Sequence, residues 1–217
     1  MDYSTKKAVI FDLDGTLLDT LDDLKNSVNA ALTDSGFPPR TTDEVRRFVG
    51  NGLAKLVERA VPAGTDASAR SAVLALTRQY YKAKCRECTR PYDGIPEMLR
   101  FLHEKGLRLA VLSNKPDAQV KTLCGEFFGG LITEAVGQRE GVPLKPAPDA
   151  LLAACEALGC SPAEVVYAGD SDVDIQTARN AGIPCISVLW GFRDRPFLEQ
   201  AGGTVFVQTP AEMIHLF

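Results

Sequence analysis

Two aspartates, Asp12 and Asp14, follow the apolar run Ala8–Phe11 and precede Gly15-Thr16. Residues two apart in an extended chain point the same way, so both carboxylates are expected on one face. Close carboxylates repel and stay ionised only beside a cation or hydrogen-bond donors. Gly15 permits an unusual backbone angle or the close approach of a ligand. A second acidic set, Asp170, Asp172 and Asp174, lies in the stretch Gly169–Asp174 after the apolar run Val165–Ala168. Asp170 is expected at a strand end and Asp174 one turn into the following helix, while Asp172 reads as a helix N-cap. Asp12, Asp14, Asp170 and Asp174 together make a cleft that needs a cation, and hard oxygen ligands of this kind suit Mg²⁺.

Three further segments offer polar groups. Ser113-Asn114-Lys115 ends an apolar run and precedes Pro116; its hydroxyl and amide could hydrogen-bond an oxyanion or cap the next helix. Lys145 stands before Pro146, which holds its backbone extended. It could reach the same rim and offset charge left after a metal binds. Gly50-Asn51-Gly52 reads either as a tight loop that approaches a small substrate or as a helix start with Asn51 as N-cap.

The elements that must position these groups alternate. Ala8–Phe11, Leu107–Leu112, Ile132–Val136, Val165–Ala168, Cys185–Leu189 and Thr204–Val207 read as strands. Their hydrophobicity is continuous rather than alternating, as in parallel strands covered on both faces. Between them, Ile95, Met98, Leu99 and Leu102 recur at helical spacing, Pro148–Leu158 is closed by Gly159, and Val173–Ala181 by Gly182. This alternation predicts an α/β fold with a doubly wound parallel sheet. Residues 19–90 break it with three helical stripes: Leu21, Leu24, Val28, Ala31 and Leu32; Leu53, Leu56, Val57 and Ala60; and Val73, Leu76 and Tyr80. The expected division is an α/β core of residues 1–18 and 91–217, with an inserted helical domain of residues 19–90.

Composition narrows the function classes. The 217 residues carry a net charge of −4 and are 45% apolar and 24% charged. That is an ordinary globular composition. It leaves no basic surplus for nucleic acid. No apolar run is long enough to span a membrane, and the polar N-terminus lacks a signal-peptide pattern, so a cytoplasmic location is expected. Of the six cysteines, Cys85 and Cys88 form one C-x-x-C without a partner pair for zinc, and free thiols are expected.

Taken in order, Asp12-Leu13-Asp14-Gly15-Thr16, Ser113-Asn114, Lys145-Pro146 and Gly169–Asp174 resemble the haloacid dehalogenase superfamily of phosphotransferases. The resemblance covers residues 8–192. It implies a Rossmann-like core with a helical cap inserted after the first motif. It also implies roles: Asp12 as nucleophile, forming an aspartyl-phosphate; Asp14 as general acid and then base; and Ser113, Asn114 and Lys145 as phosphoryl contacts. Asp12, the backbone carbonyl of Asp14, and Asp170 would bind Mg²⁺, with Asp174 supporting that shell. The second acid, Asp14, favours phosphoryl chemistry over dehalogenation. Lys25 and Lys55, the candidates for a phosphonatase-type Schiff base, sit on polar sides of their stripes. Phe48–Gly52, Lys145–Asp149 and Gly191-Phe192 look like the phosphoglycolate phosphatase branch. The expectation is therefore an enzyme, a Mg²⁺-dependent phosphatase of a small phosphorylated metabolite, phosphoglycolate first. The alternatives are a phosphohexomutase or pyrophosphatase of the same superfamily, and a non-catalytic phospho-ligand sensor.

Overall fold

The structure, a computed structural model, describes residues 2–217. In chain order its strands and helices are β1 (Ala8–Phe11), β2 (Leu18–Asp19), α1 (Leu21–Asp34), α2 (Thr42–Phe48), α3 (Gly52–Ala60), α4 (Ala67–Lys84), β3 (Arg90–Pro91), α5 (Ile95–Glu104), β4 (Arg108–Pro116), α6 (Asp117–Phe128), β5 (Glu134–Gln138), α7 (Asp149–Ala157), β6 (Val165–Gly169), α8 (Asp172–Ala181), β7 (Cys185–Val188), α9 (Arg195–Gln200), β8 (Phe206–Val207) and α10 (Pro210–Ile214). The chain forms two compact units, Met1–Leu18 with Pro91–Phe217, and Asp19–Arg90.

The first unit is an α/β fold built on a six-stranded sheet in the order β5-β4-β1-β6-β7-β8. Its ladders are parallel. The continuous apolar runs are explained by burial on both faces. Along β1, Val9 and Phe11 join one core with Leu109, Val111, Val166 and Ala168, while Ala8 and Ile10 join another with Ala110, Leu112, Val165 and Tyr167. The stripe Ile95, Met98, Leu99 and Leu102 of α5 closes the first core, and Leu151, Ala154 and Cys155 of α7 with Ala178 of α8 close the second. Because β1 lies between β4 and β6, the chain ends that leave these three strands fall side by side.

Several boundaries differ from the sequence reading. Strand β4 runs on through Ser113-Asn114-Lys115 to Pro116, with its register against β5 slipping between Leu112 and Pro116. A bulge of this kind lets polar residues continue a strand while re-aiming their side chains. Helix α8 is capped by Ser171, whose side chain accepts from Asp174 N in a capping box, so Asp172 is the first helical residue rather than the N-cap.

The second unit is helical. The stripe of α1 is buried throughout, and α1 and α3 pack on α4. Helix α2, which no apolar stripe announced, is started by a capping box between Thr41 and Glu44. On α4 the buried residues are Val73, Thr77 and Tyr81 rather than Val73, Leu76 and Tyr80. Thr77 can take an interior position because its hydroxyl donates to Val73 O at 2.8 Å. Asp23, buried in the first turn of α1, accepts from Cys88 N and Thr89 N at 2.9 Å each and from Thr89 Oγ1 at 2.7 Å. It thereby ties the returning chain to the start of the unit. Lys25 and Lys55 pair with Asp22 and Glu58 of their own helices. The six cysteines are free thiols, and among the described residues no helix is long and apolar enough to cross a membrane.

Candidate active site

Asp12 follows β1 directly and donates its own N–H to Ala168 O on β6 at 2.8 Å, which extends the ladder by one step. From there the chain folds into a tight turn, with Gly15 N–H bonded to Leu18 O at 2.8 Å. Gly15 is needed in two senses. Its φ is +89°, and a Cβ there would lie 2.4 Å from Asp170 Oδ2. Asp170 leaves β6 beside this turn and is buried. Its Oδ1 accepts from Thr16 Oγ1 at 3.3 Å and its Oδ2 from Phe192 N–H at 2.7 Å. Gly191 makes that second bond possible, since a Cβ on it would meet both Asp170 and Gly15 O at 2.4 Å. Trp190 donates Nε1–H to Thr16 O at 2.9 Å.

Asp12, Asp170 and Asp174 bring carboxylate oxygens within 4.8 Å of one another, a buried all-oxygen cluster that fits a hard divalent cation. The charge balance points the same way. Burial pushes the Asp12 carboxyl well above the usual carboxylate range; Lys145 opposes that rise, while Asp174, Asp170 and Asp14 add to it. Burial, with Asp174 next, pushes Asp170 up to about 7. A cation held by these oxygens would reverse both shifts. Asp174 is less open to a metal than its position suggests. Its Oδ1 accepts from Lys145 Nζ at 2.7 Å and from the Tyr167 hydroxyl at 2.9 Å, and its Oδ2 from Ser171 N–H at 3.1 Å and Ser171 Oγ at 2.5 Å.

Lys145, buried in the loop between β5 and α7, is the cation of this cluster. Its Nζ reaches Asp12 Oδ1 at 2.8 Å, Asp174 Oδ1 at 2.7 Å and Tyr167 Oη at 2.9 Å. Burial alone would pull the ammonium down, but Asp12 and Asp174 outweigh it and hold Lys145 above its ordinary value. Asn114 takes a role the sequence reading did not foresee. Its Oδ1 accepts from Lys145 N–H at 2.8 Å and its Nδ2 donates to Lys145 O at 3.0 Å. The amide thus clamps the lysine backbone. Ser113, buried on β4 next to β1, accepts from Lys115 N–H at 3.2 Å through its Oγ.

The carboxylate of Asp14 lies outside the acidic cluster and pairs with the ammonium of Lys115. Lys115 and Tyr167 are the two site residues that carried no role in the sequence. Lys115 stood within Ser113-Asn114-Lys115 as one lysine among many, and Tyr167 looked like any strand aromatic. The period-two alternation of β6 puts Tyr167 in the core with its hydroxyl beneath Lys145. In the helical unit, Gly50 and Gly52 have φ of +118° and +81°. Asn51 stands at the N-cap position of α3, but its side chain does not cap; its Oδ1 accepts from Arg59 Nη2 at 2.9 Å.

Residues 9–188 match the haloacid dehalogenase-like hydrolase family profile. A phosphoglycolate phosphatase of Pseudomonas putida is 36% identical over 86% of this chain and 70% of its own length. A phosphoglycolate phosphatase of Xanthomonas campestris is 33% identical over 95% of this chain and 94% of its own. A crystal structure from Lactobacillus delbrueckii, named provisionally as a phosphoglycolate phosphatase, superposes with a TM-score of 0.93 at 35% identity, covering 99% of this chain and 98% of that one.

Proposed function

This chain belongs to the haloacid dehalogenase-like hydrolase family, and from that premise we propose that it is a Mg²⁺-dependent phosphatase whose preferred substrate is phosphoglycolate. The observation that carries the reading is one ammonium, Lys145, shared between a strand-end carboxylate, Asp12, and a buried acidic cluster. The names of its relatives support the substrate.

In this reading Asp12 is the nucleophile. A carboxylate needs no base to attack phosphorus, but a phosphate dianion repels it unless its charge is offset. Lys145 offsets part of that charge, and Ser113 hydrogen-bonds a phosphoryl oxygen. Asn114 serves by fixing Lys145. When bound, Mg²⁺ neutralises the remaining charge and orients the phosphoryl group; Asp12, the backbone carbonyl of Asp14 and Asp170 would hold it, with Asp174 supporting through Lys145. An oxygen of Asp12 bonds to phosphorus as the ester P–O bond breaks, and Asp14 gives its proton to the departing alkoxide. Asp14 then takes a proton from water, whose oxygen displaces Asp12 from phosphorus, releasing phosphate and returning Asp12 to its carboxylate and Asp14 to its protonated form. The loop Gly50-Asn51-Gly52 is our candidate for leaving-group contact from the helical unit, which acts as a cap. Six free thiols suit a reducing compartment, and the cytoplasm is the location this reading carries.

A panel of phosphoglycolate, hexose phosphates, pyrophosphate and p-nitrophenyl phosphate, assayed with Mg²⁺ and with chelator, tests the proposal. Phosphoglycolate should lead, and chelation or Asp12→Asn should abolish release of phosphate. Turnover of Asp12→Asn within tenfold of the parent would sink the nucleophile assignment, and preference for another ester the substrate.

A further inference from the structure

We propose that Lys115 reads the carboxylate of the leaving group, selecting phosphate esters whose alcohol carries a carboxylate on the carbinol carbon. The inference rests on the phosphatase reading above and names how that site would recognise its substrate class.

Lys115 lies on β4, the strand beside β1. Its segment is held firmly. Asp117 Oδ1 accepts from Gly137 N–H at 3.0 Å, and a Cβ on Gly137 would meet Lys115 O at 2.6 Å and the Asp117 Cα at 2.5 Å. The Lys115 side chain is only 2% exposed, and its ammonium pairs with Asp14 Oδ1 across 101 residues of sequence. A buried ammonium is costly without a countercharge, which Asp14 supplies.

The position of that ion pair gives it a second use. Asp14 is the acid that meets the ester oxygen, so Lys115, one hydrogen bond beyond the Asp14 carboxylate, stands next to the leaving group. Asp14 is 20% exposed and Lys115 only 2%, so the ion pair meets solvent through Asp14. In the phosphate ester of a 2-hydroxy acid, the carboxylate carbon is two bonds from the ester oxygen. That short spacing suits a cation paired with the same acid. Ethyl phosphate presents a methyl group there and leaves the ammonium without the extra contact. Among the described residues the other buried ammonium is Lys145, already shared by Asp12 and Asp174. Lys115 is thus the cation placed to answer a second negative group on the substrate, and a site built for such a group rejects analogues that lack it.

The test compares kcat/KM for phosphoglycolate and for ethyl phosphate in the parent, Lys115→Met and Lys115→Arg, with melting curves to confirm folding. Inhibition by the product glycolate gives a readout independent of turnover. The parent should prefer phosphoglycolate. Lys115→Met should shrink that preference by about 10–100-fold, the scale of one charged hydrogen bond, and weaken glycolate inhibition by at least about tenfold on the same scale. Lys115→Arg should keep part of both. Equal losses on the two esters with unchanged glycolate inhibition would mean that Lys115 only positions Asp14, and would overturn the inference while leaving the phosphatase reading intact. A parent that prefers ethyl phosphate overturns the inference and the substrate class. A parent that with Mg²⁺ releases phosphate from neither ester overturns the phosphatase reading as well.

Discussion

Lys145 Nζ donates to Asp174 Oδ1 at 2.7 Å, an ion pair between the loop entering α7 and the first turn of α8, with both side chains almost wholly out of solvent. Removing one partner of a buried pair leaves the other charged and unpaired. Lys145→Met should therefore lower unfolding free energy by about 3–5 kcal/mol as well as abolish turnover. Denaturant unfolding of parent and variant checks this, and equal midpoints would show that the pair contributes nothing to stability.

Asp14→Asn should stop the reaction at or before the phosphoenzyme, since it removes a proton carrier whose contribution is typically about 10²–10⁴-fold. Rapid quench with labelled substrate should show either a stoichiometric acid-stable burst or no reaction. Steady-state turnover equal to the parent would end the acid–base assignment.

Gly191→Ala should weaken Mg²⁺ binding without unfolding the protein. A methyl group there would lie 2.4 Å from both the Asp170 Cβ and Gly15 O, so the acid must move. A loss of about tenfold or more in affinity, equivalent to roughly 1.4 kcal/mol, is the expected result of titration calorimetry. Parent-like affinity would show that the turn yields without disturbing Asp170.

The metal-free protein should lose stability as pH rises. Asp170 is pushed up to about 7 from 3.8, so the folded state holds its proton more tightly than the unfolded chain does. Its contribution is fully present below the unfolded value and is lost as pH rises through about 7. Mg²⁺ favours the ionised form and should raise the melting temperature more at pH 8 than at pH 5. A Mg²⁺-induced shift that is equal at both values would contradict a metal at this cluster.

Asn51→Leu should lower kcat/KM for phosphoglycolate by about 10–100-fold relative to p-nitrophenyl phosphate, the scale of one substrate hydrogen bond. Equal losses on both esters, or none, would leave Asn51 as a partner of Arg59 within the helical unit only.

Local signals in the chain were enough for much of this protein. Continuous apolar runs marked the parallel strands, because burial on both faces removes alternation. Helical stripes marked α1, α3 and α5. Asp12, Asp14, Lys145, Asp170 and Asp174 could be picked out because each follows a strand or opens a helix, and strand ends are where a doubly wound sheet gathers its chemistry. Helix α2 was missed because a single capping box, not an apolar stripe, starts it. What no local pattern holds is which strand lies beside which. The order β5-β4-β1-β6 brings Lys115 to Asp14 across 101 residues and Lys145, in the loop after β5, to Asp12 across 133. That order turned Asn114 from a candidate phosphate ligand into a clamp on the Lys145 backbone and made Tyr167, a core tyrosine by its sequence context, a partner of the Lys145 ammonium. Residue type and spacing determined which groups stand at the strand ends, because periodicity is a local property. Tertiary structure decided which of those groups neutralise one another, because charge pairing in a buried site depends on distances that only the assembled sheet sets.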